Sequence, residues 1–568
     1  MYKVINEHFR EIFYKPGVEK IEPFDGPPRP LNNEITVDEV DKNIKKLNNR
    51  RSPGFDHISA ELIKYSTPEL TQCITTALNS IFENNKDQQV GKGILAPIQK
   101  ANKTKGPKKN LRPITLLPIL RKILSNITMS RIQGKIYNFL SENQSAYRAG
   151  RSTSDIIWAY RWICARMQVC DEEILVTGID MSSAFDTIIR KNLLNIFGQF
   201  LNSDEMRLVK ILLTNTSLEV KMNGVENFSF ESNIGSPQGD GSSGPFFNVY
   251  FENSLRKLRS KMSEIPNTPD DIPTIYNNIV PASNLPDELT YADDCDFITQ
   301  SETKRSKLNE IVGKTLLEDN LIVNIDKTEH TTIKRIKNDK NAEVWRHTKK
   351  LGSLLGDSED IARRKQLSIV ALNNLNNIWI RKDKIRETLR IKLYNALVKP
   401  VLIYNCSTWG LTNKDEQQLD TFHRKQLKRI IKIKYPHRIS NKHLYERCDA
   451  KPLSLEILRQ RWQKFGHILR LGEEIPAYKS MIFYFDFTHK QRFQGHPRTT
   501  IVVTLDNDIK RARKDPNFRR KYVFIRQHSS NFLSKQDIET FCNVAKDRER
   551  WKKITNDLYF AAEAEKSL

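Results

Sequence analysis

Two adjacent aspartates, Asp293 and Asp294, interrupt a stretch that otherwise alternates like a half-buried strand, TYADDCDFIT. Adjacent carboxylates repel each other and lower strand propensity, so the pair belongs either to a solvated turn or to a site that receives a cation. The surrounding alternation predicts a β-hairpin with the pair near its tip, where it could approach a carboxylate on a neighbouring strand. Asp296, two residues further on, is interpreted as an ordinary polar strand residue.

A third aspartate stands at the end of an apolar, β-branched run in EILVTGIDMSSAFDTI. A buried strand that ends at Asp180 would hold a metal-binding carboxylate on a rigid support, although Asp180 could equally cap a helix that begins near Ser182. Three aspartates from two strands suit two Mg²⁺ ions, which prefer oxygen ligands and keep positions open for substrate phosphates. Together they predict a two-metal site for phosphoryl transfer.

A glycine-rich segment, NIGSPQGDGSSGPFFNVYF, lies between the two acidic stretches. Its glycines, Gly235, Gly239, Gly241 and Gly244, would let the backbone come close to a flat, bulky ligand such as a base pair. Glycine-rich segments are also common as plain loops, so this segment gains meaning only from its position between the aspartates.

The amino-acid composition limits which kinds of partner such a site could bind. The 568 residues are 38% hydrophobic, as in folded multidomain proteins, and carry a net charge of +24, which favours an anionic partner such as nucleic acid. No apolar run approaches the roughly 20 residues of a membrane span, and the N-terminus has charges where a signal peptide needs an apolar core. The seven cysteines form no CxxC pair. We therefore expect an intracellular protein with reduced cysteines and no membrane partner.

The pattern along the chain predicts a mixed α/β body from about residue 45 to 355 and helices after it. The segment SEIPNTPDDIPTIYNNIVPASNLPDE breaks the regular pattern and is interpreted as a surface insertion. Residues 423 to 438, HRKQLKRIIKIKYPHR, carry seven Lys or Arg and no Asp or Glu. This stretch is either a solvated basic helix or a phosphate contact of nucleic acid, made by Arg424, Lys425, Lys428, Arg429, Lys432 and Lys434.

Over about residues 45 to 470 the chain resembles the reverse transcriptase of non-LTR (LINE-type) retrotransposons. The matching segments occur in family order: RRSPGFDHISAELIK, ILAPIQKANKTKGPKKNLRPITLLPILRKI, LSENQSAYRAGRST, GIDMSSAFD, GSPQGDGSSGPFFNVYF, YADD, LIVNIDKTEH and KKLGSLLG. The segment GDGSSGPFF departs from the more apolar run of relatives, so altered packing is expected from Asp240 to Pro245.

The resemblance implies an α+β right-hand polymerase with fingers, a palm built on an antiparallel sheet, a helical thumb and a mainly helical basic C-terminal region. The expected boundaries are an N-terminal extension or linker at 1–44, fingers and palm at 45–355, thumb at 356–415 and the basic region, a nucleic-acid binder, at 416–568.

The resemblance also implies roles for individual residues. Asp180, Asp293 and Asp294 would bind two Mg²⁺ ions, which Mn²⁺ could replace, with the Met181 carbonyl as a further ligand. Lys327 would protonate pyrophosphate, although a plain solvated lysine is the alternative. The expected nucleotide-binding residues are Lys100, Arg112, Phe185, Gln238 and Gly239. Phe185 would exclude a 2′-hydroxyl and so select deoxynucleotides, unless it is simply a core phenylalanine.

The implied activity is RNA-directed DNA synthesis in target-primed reverse transcription, with template RNA, primer or target DNA and dNTPs as partners. Only about 45 residues precede the first motif, so an endonuclease is expected to be supplied elsewhere. Action on chromosomal DNA implies presence in the nucleus as well as the cytoplasm. The alternatives are a catalytically silent RNA-binding remnant, a domesticated element protein, an intron maturase and a viral RNA polymerase.

Overall fold

The fold is taken from a computed structural model, which describes residues 2–24, 27–85, 90–100, 104, 110–221, 228–237, 239–263, 284–336, 343–376, 385–486, 498–525 and 533–567. Its strands are β1 Lys92–Gln99, β2 Leu111–Leu116, β3 Glu173–Ile179, β4 Ser217–Val220, β5 Phe228–Glu231, β6 Glu288–Tyr291, β7 Asp294–Thr299, β8 Glu329–Lys334, β9 Lys349–Lys350 and β10 Ser353–Leu354.

The helices up to residue 318 are α1 Tyr2–Phe13, α2 Val37–Lys45, α3 Ala60–Lys64, α4 Pro68–Glu83, α5 Ile119–Phe139, α6 Thr153–Val169, α7 Arg190–Phe197, α8 Ser203–Leu213, α9 Ser243–Ser263 and α10 Glu302–Glu318. Those that follow are α11 Asp357–Leu375, α12 Glu387–Leu393, α13 Lys399–Leu402, α14 Asn413–Ile430, α15 Asn441–Arg447, α16 Leu453–Leu469, α17 Pro476–Phe483, α18 Ile501–Ala512, α19 Pro516–Lys521, α20 Lys535–Ala545 and α21 Arg548–Ser567. None of the described helices is long and apolar enough to cross a membrane.

The central sheet has the strand order β6-β7-β3-β8, and each neighbouring pair is antiparallel. Apolar residues of one face, such as Ile174, Val176 and Ile298, pack with helix α6. Cys295 and Phe297 alternate with them and join the main core on the other face. This two-sided burial explains the nearly continuous apolar run of β3 and confirms the antiparallel palm.

A second sheet has the strand order β2-β1-β4-β5, in which only the pair of β1 and β4 is parallel. Phe9 and Phe13 of α1 pack against it. In α2, Thr36 and Glu39 form a reciprocal capping box at the N-terminus, and Val40 joins the main core. The described part of the N-terminal 44 residues therefore packs into the body of the protein, where the sequence suggested an extension or linker.

Residues after β10 are helical, as the sequence predicts. Trp462 and Phe465 of α16 share a core with Trp158 and Trp162 of α6, so the C-terminal helices pack on the palm. The expected boundary between thumb and C-terminal region, at 415/416, falls inside α14. The predicted insertion lies largely at 264–283, outside the described residues. All seven cysteines are free, as expected.

The unusual Asp240 of the glycine-rich segment is buried in an ion pair. Its carboxylate accepts a hydrogen bond from Arg121 Nε at 2.9 Å and another from the Ser125 hydroxyl. Arg121 also donates to the carbonyl oxygens of Val90 (3.2 Å) and Leu212 (2.6 Å). The Asp240 carboxylate is thus fully paired and ties the glycine-rich segment to α5.

We predict that Asp240→Ala lowers the free energy of unfolding by about 3–5 kcal/mol, because it leaves the Arg121 guanidinium buried without its carboxylate. Thermal unfolding followed by circular dichroism measures this loss as a lower midpoint. The control is Asp41→Ala, which removes an exposed helix pair with Lys45 at 2.6 Å and should cost about 0.3–0.5 kcal/mol. Equal shifts for the two variants would contradict the prediction.

Candidate active site

The register of the central sheet brings the three aspartates to one edge. Ile179, the last residue of β3, pairs with Cys295 of β7, so Asp180 emerges beside Asp294. Asp293 occupies the turn between β6 and β7, after Ala292, which has a left-handed φ of +57°. The predicted hairpin is therefore present, and its tip lies against the end of β3.

Repulsion within this group appears in the pKa values. Part of Asp294 is open to solvent, but the surrounding protein desolvates its carboxylate. This desolvation, and then repulsion from Asp293, Asp296 and Asp180, raises the pKa of Asp294 to about 6. Desolvation and then Asp180 raise the pKa of Asp293, while Arg112 opposes this rise. The carboxylates are therefore close enough to disfavour full ionisation.

Lys327 already contacts this acidic group. It ends a short 3₁₀ helix, Ile325–Lys327, and its Nζ lies 3.0 Å from Asp180 Oδ2. The segment is held by the Asn324 amide, which donates to the Asp180 carbonyl at 2.8 Å, and by the Ser182 amide, which donates to Ile322. These two hydrogen bonds involve the residues on either side of Met181, so neither of them uses the Met181 carbonyl.

The residues fit a divalent cation in donor type and charge. Within the described ranges, no three His, Cys, Asp or Glu side chains are gathered into a ready-made metal cage. The Asp180 carboxylate is instead paired with the Lys327 ammonium. A divalent cation would relieve the repulsion that raises the Asp293 and Asp294 pKa values, and binding there would compete with Lys327 for Asp180.

Phe185 and Gly239 are two further residues of the predicted nucleotide site. The Phe185 ring is half-buried and stacks on Phe247 of α9, with centroids 4.5 Å apart. Gly239 has φ +129°, and a Cβ there would lie 2.3 Å from the Thr115 carbonyl oxygen of β2. Glycine is therefore required by close backbone approach. Gln238 lies outside the described residues.

The two expected triphosphate contacts sit on the second sheet. Arg112 is exposed on β2, opposite Ile98 of β1, and its charge reaches Asp293. Lys100 follows β1, and its amide donates to the Asn110 carbonyl at 2.8 Å. Arg112 is thus within electrostatic range of Asp293, while for Lys100 the structure fixes the backbone position.

The basic stretch forms the end of α14 and the turn after it. Its apolar residues Leu427, Ile430 and Ile431 are buried together, as their spacing predicts. Arg424 donates to the Thr421 hydroxyl at 2.9 Å, and Arg429 donates to Asn373 Oδ1 at 2.7 Å. Lys425, Lys432 and Lys434 are exposed on this packed helix and turn, and Lys428 is half-buried.

Asp296 is not the ordinary polar strand residue that the sequence suggested. It is buried, accepts a hydrogen bond from the Tyr160 hydroxyl at 2.6 Å and pairs with Lys350 Nζ at 2.7 Å. Lys350 also lies 3.3 Å from Glu329. The interpretation was wrong because partners 54 and 136 residues distant in sequence leave no local signal.

Gly178 explains how Lys350 reaches both carboxylates. Gly178 pairs with Asp296 on one side and with Glu329 on the other. A Cβ at Gly178 would lie 2.5 Å from both Lys350 Nζ and Asp296 Oδ1. The Lys350 ammonium group therefore lies over β3 in the space that a side chain at position 178 would fill. Since residues two apart share a sheet face, this cation lies below Asp180 and Asp294.

Gln144 is a second residue whose role the sequence did not reveal. Its buried side chain accepts hydrogen bonds from the Ala292 amide at 2.8 Å and the Ala146 amide at 3.0 Å. Its Nε2 donates to the Ala292 carbonyl at 3.3 Å. The Gln144 side chain thus forms hydrogen bonds with both the backbone N–H and the carbonyl of Ala292, the left-handed residue that precedes Asp293. Only its place in the segment QSAYRAGRST hinted at importance.

Comparison with known proteins agrees with this geometry. Residues 98–365 match the family described as reverse transcriptase (RNA-dependent DNA polymerase). The Pol polyprotein of the type-1 retrotransposable element R1 of Bradysia coprophila is 30% identical over 168 residues, which are 28% of this chain and 16% of that protein. The RNA-directed DNA polymerase of the mobile element jockey of Drosophila melanogaster is 21% identical over 424 residues, or 70% of this chain and 44% of that protein.

The chain is therefore similar to reverse transcriptases over residues 98–365, and to proteins of the mobile elements R1 and jockey. It spans less than half of the length of each of these relatives. The solved structures similar to it include apo telomerase of Candida tropicalis, at 16% identity and TM-score 0.32, covering 44% of this chain and 52% of that one. Telomerase of Candida albicans with a fragment of telomeric RNA has 10% identity and TM-score 0.33, covering 74% and 71%.

In the metal-free protein, we predict that Asp294→Asn raises the thermal midpoint at pH 7.5 by on the order of 1–2 °C. The folded pKa of about 6 exceeds the unfolded value, so the ionised carboxylate destabilises the fold above pH 6. The advantage of the variant should shrink as the pH falls from 7 to 5.

Thermal unfolding in EDTA, and then with Mg²⁺, measures both effects. Mg²⁺ should stabilise the wild type more than Asp294→Asn, because binding to the folded state requires the carboxylate. Asp41→Asn on the surface of α2 is the matched control. A variant no more stable than the wild type at pH 7.5 would argue against repulsion at this site.

Proposed function

We propose that this chain is an RNA-directed DNA polymerase that copies the RNA of a non-LTR retrotransposon into DNA. The observation that carries the proposal is the register of β3 and β7, which sets Asp180 beside Asp294 with Asp293 in the adjoining turn. Mutually repelling carboxylates at a sheet edge, beside a lysine and an arginine, suit a phosphate-rich substrate with divalent cations.

Each residue has a defined task in this proposal. Bound by Asp180, Asp293, Asp294 and the Met181 carbonyl, two Mg²⁺ ions, or Mn²⁺ in their place, would activate the primer 3′-hydroxyl and stabilise the leaving pyrophosphate. The Lys327 ammonium lies 3.0 Å from Asp180 and can give its proton to pyrophosphate.

The other proposed contacts hold the incoming dNTP. Arg112 and Lys100 would bind the triphosphate, and Arg112 suits this task because a guanidinium grips phosphate oxygens in pairs. Gln238 and Gly239 would line the new base pair. Phe185, braced on Phe247 at 4.5 Å, would present its ring to the sugar and exclude a 2′-hydroxyl.

The cellular setting follows from the same proposal. Arg424, Lys425, Lys428, Arg429, Lys432 and Lys434 would bind phosphates of template RNA or target DNA, with an affinity that falls as salt rises. In target-primed reverse transcription, the primer would be the 3′ end at a nick that an endonuclease makes in chromosomal DNA. The protein would therefore act in the nucleus as well as reside in the cytoplasm.

Primer extension tests the activity. With poly(rA)/oligo(dT), Mg²⁺ and dTTP, the wild type should extend the primer, and Asp293→Asn should reduce extension by at least about 10³-fold, because charge stabilisation at the reacting phosphate is lost. Asp41→Asn should retain activity. If the wild type binds RNA in a salt-sensitive way but never extends a primer with any metal, the silent RNA-binding remnant becomes the better reading.

Sugar selection tests Phe185 separately. Phe185→Val should lower the preference for dTTP over UTP by on the order of tenfold or more, because a smaller side chain leaves room for the 2′-hydroxyl. Single-nucleotide incorporation on the same primer measures this ratio. Phe200→Val changes another half-buried ring of the same core and serves as the control. An unchanged ratio would assign Phe185 to packing alone.

A further inference from the structure

Tyr147 has a backbone conformation that bulky residues rarely adopt. It lies in the loop between α5 and α6 with φ +55°, in the left-handed region, and 52% of it is exposed. About half of this large side chain remains open to solvent, and a left-handed φ disfavours its Cβ. Strain of this kind persists where the surrounding structure enforces it and is concentrated at functional sites.

Neighbouring groups hold the loop in place. The Ala146 amide donates to Gln144, whose side chain also binds Ala292 before the catalytic turn. The Ala146 carbonyl accepts a hydrogen bond from Asn248 Nδ2 of α9 at 2.8 Å. The residue just before Tyr147 is thus fixed to both the aspartate hairpin and α9.

The Tyr147 ring has a defined seat. It packs on Gly244 at the start of α9, where a Cβ would lie 2.5–2.6 Å from three of the ring carbons. Gly244 is therefore the residue that admits the ring. On the other side, desolvation and the charge of Asp293 raise the pKa of the Tyr147 phenol, which places the ring within electrostatic reach of that carboxylate.

The order of side chains along α9 suggests what the ring contacts. Phe247 supports Phe185, the proposed contact of the incoming sugar. Gly244, about one turn earlier, supports Tyr147 beside Asp293. If Phe185 contacts the incoming nucleotide, the adjacent space next to Tyr147 is available to the 3′ end of the primer.

We propose that Tyr147 is a primer-binding residue whose ring packs on the 3′-terminal nucleotide and directs its hydroxyl toward Asp293. This inference rests on the proposed polymerase function. Aromatic rings stack on bases without regard to sequence, as a polymerase that extends any primer end requires. The enforced backbone of Tyr147 keeps the ring in place before nucleic acid binds.

A fluorescent primer end tests the contact directly. A dideoxy-terminated DNA primer with 2-aminopurine at its 3′ end, annealed to RNA, is titrated with the 568-residue chain. Stacking on the residue 147 ring should quench the 2-aminopurine fluorescence in complexes of the wild type and of Tyr147→Phe. Complexes of Tyr147→Ala and Tyr147→Asn should lose this quenching. Asparagine tolerates a left-handed φ, so Tyr147→Asn should fold as well as the wild type. Tyr65→Ala, at an exposed tyrosine, is the control.

Kinetics provide the second readout. Tyr147→Asn should raise the KM for primer–template about tenfold and leave the KM for dTTP unchanged. Quenching that persists in Tyr147→Asn, or that occurs only when the reporter is in the template, would overturn the proposal. A wild type that never extends primers but shows Tyr147-dependent quenching would refute the polymerase activity and keep the contact. An active wild type without quenching would refute the contact alone.

Discussion

The architecture depends on holding three like-charged carboxylates together at the edge of one sheet. The antiparallel pairing of β3 with β7 fixes Asp180 beside Asp294, and the left-handed turn at Ala292 presents Asp293. Desolvation and then mutual repulsion disfavour this arrangement, as the raised pKa values of Asp293 and Asp294 show. The buried sheet must therefore supply the stability that the site itself lacks.

Two lysines offset part of this repulsion from different directions. Lys327 contacts Asp180 from the side, where the contact is exposed and exchangeable. Lys350 lies below, almost completely buried between Asp296 and Glu329, in the space that Gly178 leaves open. The exposed lysine can be displaced by a cation or substrate, whereas the buried lysine belongs to the permanent framework, because removing it would strand a buried carboxylate.

Side-chain hydrogen bonds connect the site to segments distant in sequence. Gln144 grips the backbone of Ala292, and Arg121 holds Asp240 of the glycine-rich segment. Both contacts are buried, where an unmet hydrogen bond is costly, so each fixes the relative position of two loops. The polar side chain of Asp240 is accommodated in the interior through this pairing, which an apolar residue could not make.

Much of the site could be predicted from the sequence because its signals are local. A β-branched run that ends in an aspartate, and an alternating stretch broken by two more, define strands and a turn by periodicity alone. The order of the matching segments then indicated the resemblance to reverse transcriptases, and this resemblance implied the candidate roles of Phe185, Arg112 and Lys327. The helical character after residue 356 followed from the same periodicity.

The tertiary structure alone decided which distant residues complete the site. Asp296 looked ordinary because its partners Lys350 and Tyr160 are 54 and 136 residues distant, and Gln144 is 148 residues from Ala292. It also decided that the N-terminal helices belong to the body. Periodicity records how a chain buries its own apolar face, whereas a buried charge finds its partner only once the sheets and helices are packed together.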